Sequence, residues 1–146
     1  MTKVEIEIND PILFTTDIPV RVSDLNYGNH LGHDSVLTIM QEVRVMFYRA
    51  LGFENELRFE GDVGQIIANA TLQYKSEAFL GDVLVANVAV SNVTKVGFDM
   101  LYQLVNKVSG KEVARGRTGI YCFDFKKRRV VSIPEGLQKK IQQTFT

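Results

Sequence analysis

The chain has 146 residues, of which 45% are hydrophobic and 23% charged, with 17 basic against 17 acidic side chains and a formal net charge of zero. This length points to one domain with a substantial core, and apolar content of this size without net charge excludes a disordered chain. The charge balance also argues against a general nucleic-acid binder.

No apolar run exceeds four residues, far short of the roughly 20 a membrane helix needs. The opening MTKVEIEIND alternates acids with apolar residues and has no secretory pattern. A single cysteine, Cys122, excludes an internal disulfide and fits a reducing compartment. These features predict a cytosolic protein.

In chain order, residues from about Thr15 to Val22 are β-prone and lead into the polar, turn-rich stretch Ser23 to Gly32. Gly32-His33-Asp34-Ser35 offers helix-capping residues, with Asp34 read as the cap. Val36, Met40, Val43, Phe47 and Ala50 then recur at the spacing of one helix face. Leu37, Ile39, Val45, Met46 and Leu51 fill most of the remaining circumference, leaving a narrow polar stripe of Asp34, Thr38, Gln41, Glu42 and Arg49. A helix this apolar is buried on most sides, and Gly52 is placed to end it.

Period-two patterns follow. Ile66, Ala68, Ala70, Leu72 and Tyr74 alternate with polar residues as in a half-buried strand. Phe79-Leu80-Gly81-Asp82 is a turn, Leu84 to Val90 a second strand, and Val96 to Leu104 a third. Ser109-Gly110 is a hairpin turn into a long strand from about Glu112 to Phe125, in which Cys122 reads as a small buried residue. The basic run Lys126 to Arg129 is a solvated turn before a short strand at Val130-Val131, and Pro134 opens a helix to about Gln143. The expected architecture is α+β, a curved antiparallel sheet wrapped around one long helix. One helix cannot cover every face, and an unpaired edge strand calls for a second subunit; a homodimer, further paired as a dimer of dimers, is expected.

The densest polar cluster is Ser23-Asp24-Leu25-Asn26-Tyr27-Gly28-Asn29-His30-Leu31-Gly32-His33-Asp34, between the first strand and the buried helix. A strand-to-helix loop aims backbone N–H groups and a positive dipole end at one spot. That spot suits a carbonyl oxygen that turns negative during acyl transfer, and a neighbouring carboxylate or imidazole can activate water. A metal site of His30, His33 and Asp34 lacks further ligands in the pattern and is not expected.

The run RVSDLNYGNHLGHDSVLTIMQEVR, Arg21 to Arg44, resembles the opening motif of the hotdog-fold acyl-CoA thioesterases, most closely the 4-hydroxybenzoyl-CoA thioesterase-like branch. Arg21, Asp24, His30, Glu42 and Arg44 fall in matching places, and LQYKSEAFLGD, Leu72 to Asp82, matches the family's strand, turn and Gly-Asp. The resemblance implies the hotdog fold and hydrolysis of acyl-CoA or acyl-carrier thioesters. Its usual catalytic Asp falls on Asn26, and an amide serves neither as nucleophile nor as base.

The Asn-Asn that follows the family's histidine is replaced here by Gly32-His33; the expected mechanism places oxyanion N–H groups at Gly32 and His33, with Asn26 orienting water or substrate. Glu42, or failing that Asp24, is the base, and His30 is a donor or loop-holding group. Tyr27 and Asp34 contact substrate, and Lys75, Lys95, Arg115 and Arg117 meet the coenzyme A phosphates. No metal or separate cofactor is implied; coenzyme A enters as part of the substrate. Because Asn26 replaces the carboxylate, a non-catalytic acyl-CoA or acyl-carrier binding module is the alternative. A hydratase on the same fold ranks last.

Overall fold

A computed structural model describes residues 2–143. Strand β1 (Phe14–Pro19) is followed by a single 3₁₀ turn (Val22–Asp24) and helix α1 (His33–Ala50). Strands β2 (Val63–Tyr74), β3 (Val83–Ser91), β4 (Gly97–Asn106), β5 (Glu112–Asp124) and β6 (Arg129–Val130) and helix α2 (Glu135–Gln143) complete the order. The strands form one antiparallel sheet in the order β1-β3-β4-β5-β2, with β6 on β5.

The 3.6-residue pattern of α1 becomes its buried face: Val36, Ile39, Met40, Val43 and Phe47 are each 2% exposed or less. The sheet meets it with alternate residues, Leu84, Ala86 and Val88 from β3, Phe98, Met100, Tyr102 and Leu104 from β4, and Ile120 and Cys122 from β5, all in the same core. Gly116 on β5 lets the helix settle close, since a Cβ there would run into the Met40 sulfur. Cys122 is buried as expected, and burial pushes its thiol up to about 11.

Several details differ from the sequence reading. Strand β1 ends at Pro19, because the chain turns into the 3₁₀ segment once the Asp24 carboxylate accepts from the Arg21 backbone N–H. Asp34 is not the cap of α1: the N-cap is Gly32, without a side-chain hydrogen bond, and Asp34 lies in the first turn. The alternation in β2 is broken by a register shift between Ile67 and Asn69, and Ala68 and Ala70 are exposed. The reason is position: β2 is a sheet edge, paired with β5 alone.

Arg44, on the nearly apolar helix, is buried at 5% exposure. It pairs with Glu56 at 3.0 Å and donates to the Tyr102 hydroxyl at 3.1 Å. Near the N-terminus, Ile6 packs on Ala89 and Leu101 on the outer face of the sheet, and its carbonyl accepts from the Arg115 guanidinium at 2.9 Å. No helix among the described residues is long and apolar enough to cross a membrane.

Candidate functional site

The loop between the 3₁₀ turn and α1 is knitted by its own amides. Asn26 N–H donates to the His30 carbonyl at 2.9 Å, and the Asn26 Oδ1 accepts from the Gly28 N–H at 2.8 Å. The second tie is to the turn that the Phe79-Leu80-Gly81-Asp82 motif forms. Leu31 N–H donates to the Ala78 carbonyl at 2.8 Å, and His30 and Phe79 form an antiparallel bridge.

Between these two loops and the start of α1 lies a cleft of about 330 Å³. Asn26, His30 and His33 border it on one side, Tyr74, Lys75 and Glu77 on the other, and Leu31, Val36, Ala78 and Val113 form its apolar wall. The helix opens onto this space. The N-cap Gly32 has φ −72° and ψ 147°, and the His33 N–H, first of the helix, has no acceptor among the described residues. An unpaired amide at the positive end of an 18-residue helix is a ready anion donor. The Tyr74 hydroxyl donates to the His33 carbonyl at 3.1 Å, and its acidity is suppressed, by burial first and by the Asp34 charge second.

The structure brings Asn26, His30, His33 and Lys75 to one cleft, but it places other sequence-identified residues elsewhere. The Gly32 N–H is no oxyanion donor, because it already donates to the Asp24 carbonyl at 3.0 Å. Asp24 is not placed to act as a base: it is 3% exposed and bound to Arg21 through the backbone N–H and the guanidinium. Glu42 lies on the exposed side of α1, outside the cleft walls, close enough to Arg21 to act on its charge. Tyr27 stands fully exposed at the loop tip, and Asp34 is exposed with its Oδ1 folded back over Gly32.

The expected phosphate ligands are largely committed as well. Lys75 pairs with Glu112 at 3.0 Å and Arg115 pairs with it at 2.8 Å. Burial disfavours the Glu112 carboxylate, but hydrogen bonds from Arg115, Gln103 and Lys75 outweigh that and hold its pKa down to about 2. A folded value below the ordinary 4.5 means the network stabilises the protein above that pH and stops doing so as pH falls toward 2. Glu112→Gln is therefore expected to flatten the stability–pH curve between those values, as followed by urea melts at stepped pH. Arg117 is half-buried on β5 and has no ion-pair partner among the described residues. No group of three or more His, Cys, Asp or Glu among the described residues is arranged to hold a metal ion.

Sequence reasoning missed Glu77. It lies inside the motif Leu72 to Asp82 with no signal of its own; its carboxylate stands 4.0 Å from the His30 imidazole.

A six-stranded antiparallel sheet curved around one long helix, with the site at the helix N-terminus, is the hotdog fold. Residues 20–141 match the model of the thioesterase-like superfamily, and the chain belongs to that family. Its fold is similar to that of a 1,4-dihydroxy-2-naphthoyl-CoA thioesterase from Synechocystis, at TM-score 0.82 and 19% identity, covering 91% of this chain and 98% of that one. It is equally similar to a Staphylococcus aureus protein solved in complex with CoA, at TM-score 0.83 and 16% identity, covering 97% and 88%. A gentisyl-coenzyme A thioesterase matches at TM-score 0.77 and 18% identity over 88% and 99%. No curated protein matches the chain.

Proposed function

We propose that the protein hydrolyses acyl-CoA thioesters to a free acid and a thiol, in an aqueous compartment of the cell. The observation that carries this reading is the unpaired His33 N–H at the N-terminus of α1, opening onto a cleft bordered by Asn26 and His30. A thioester carbonyl seated there hands its developing negative charge to the amide and to the helix dipole, and such a donor is worth about 10²–10³ in kcat. The Asn26 Oδ1 is taken by Gly28, which turns its NH₂ outward as a donor to water or substrate. The acyl group lies against Leu31, Val36 and Val113. Family membership and the CoA-bound neighbour support the choice of carrier. With Lys75 and Arg115 held by Glu112, Lys95 and Arg117 are the two of the four expected cations left to meet a CoA phosphate. Water is the only co-substrate.

The same reading includes a homodimer. The outer edge of β2 is unpaired over a 12-residue strand, and Leu37, Ile67 and Tyr74 are large apolar side chains exposed on α1 and β2. Such an edge is a template for a second strand, and a second copy of the chain supplies one with the same surface. Sedimentation is expected to give twice the chain mass, or four times it where two dimers pair; a monomer would remove this part of the reading.

One observation favours a second reading, an acyl-CoA or acyl-carrier binder without turnover: an amide stands at Asn26 where the resemblance places a carboxylate. Free-thiol release from short, medium, long and aromatic acyl-CoAs separates the two. Saturable release from at least one member is the expected result. Binding by calorimetry without release from any of them would establish the binding module.

A further inference from the structure

The cleft as described holds a donor for the carbonyl but no assigned base. Asn26 is an amide, Asp24 is enclosed by Arg21, and Glu42 lies outside the cleft walls. One carboxylate does line the cleft, that of Glu77. Resting on the hydrolase reading, we infer that Glu77 is its catalytic base, held by His30, and that it stands in for the carboxylate missing at Asn26.

The backbone on both sides of Glu77 is pinned. The Ser76 N–H donates to the Val113 carbonyl at 3.2 Å, and its hydroxyl donates to the Glu112 carbonyl at 2.7 Å. Ala78 is 1% exposed and its carbonyl accepts from Leu31. The Glu77 side chain between them is 66% exposed, so its carboxylate is open to water while its root is fixed. Its Oε1 lies 4.0 Å from the His30 Nε2, longer than a hydrogen bond; contacts of this kind tighten in the substrate complex.

The opposite side of the space is equally defined. A Cβ on Gly28 would stand 3.1 Å from the His30 Nε2 and 3.2 Å from the Asn26 Oδ1. A larger residue at Gly28 would therefore press on both side chains. Asn26, His30, His33 and Glu77 thus line one cleft, and in this proposal the attacking water sits among them.

The step balances without metal or redox partner. The water oxygen bonds to the acyl carbon while one water proton passes to the Glu77 carboxylate. The C–S bond then breaks and the sulfur departs with the proton that Glu77 returns. The acid keeps the water oxygen, and Glu77 is again a carboxylate. The His30 Nε2 positions the carboxylate.

The test uses the full-length protein and the acyl-CoA that it turns over fastest. Glu77→Gln keeps the side chain's size and is expected to lower kcat by about 10² or more, with KM within a few-fold and the melting temperature unchanged. Adding Asn26→Asp to that variant returns a carboxylate to the cleft and is expected to recover at least about tenfold of the lost rate. A Glu77→Gln enzyme within twofold of the parent in kcat overturns the assignment while leaving the hydrolase reading intact. So does an equal loss confined to Asp34→Asn or Glu42→Gln. An unrecovered rate in the double variant overturns the claim that Glu77 replaces a carboxylate at Asn26. A parent protein that releases no thiol overturns the hydrolase reading itself, and the assignment with it.

Discussion

Arg44→Met is expected to destabilise the protein by about 3 kcal/mol, and to lower Tm by roughly 6 to 12 °C for a chain of this size. The guanidinium is 5% exposed and holds the Glu56 carboxylate at 3.0 Å. Burial by itself would weaken its charge, but Tyr102 and Glu56 outweigh that and leave its pKa raised. Removing it strands a carboxylate that is itself only 19% exposed and keeps only the Gln65 amide, at 2.9 Å. Breaking one side of such a pair costs more than the pair contributes, because the remaining charge is left without its partner. Adding Glu56→Gln removes that charge, and thermal melts should then show much of the loss recovered. A single variant as stable as the parent would mean that the loop carrying Glu56 opens to water without penalty.

That network also shows where sequence patterns stop being informative. Helix α1 and strands β3, β4 and β5 were legible because their periodicity is local and each buries a continuous face. Arg44 was not, because its burial depends on Glu56, 12 positions away, and Tyr102, 58 positions away. The exposed middle of β2 was hidden because a row of alanines alternates in the same way whether or not anything packs on it. The packing of Ile6 on Ala89 and Leu101 is likewise a long-range event that a short alternating segment does not announce.

The site divides in the same way. Asn26, His30 and His33 were readable because they lie on one short loop before a helix, and a helix N-terminus has fixed chemistry. Glu77 was not, because only the bridge between His30 and Phe79 brings its turn alongside that loop. Asp24, Lys75 and Arg115 were read as functional charges. Their partners, Arg21 and Glu112, are set by backbone turns and strand register that composition does not reveal.

In the proposed reaction the His33 N–H receives the charge that develops on a thioester carbonyl, and proline isolates that single atom. His33 is the first helical residue, where proline is well tolerated because its missing N–H has no helical partner. Gly32 before it has ψ 147°, within the range a following proline requires. His33→Ala removes the imidazole and keeps the N–H, while His33→Pro removes both, so their comparison reports the amide alone. The measurement is free-thiol release from an acyl-CoA substrate by these two variants, with thermal melts on each. The two variants are expected to be equally stable within about 1 kcal/mol, with a kcat for His33→Pro about 10²–10³ below that of His33→Ala. Equal kcat in two equally stable variants would contradict this role of the amide.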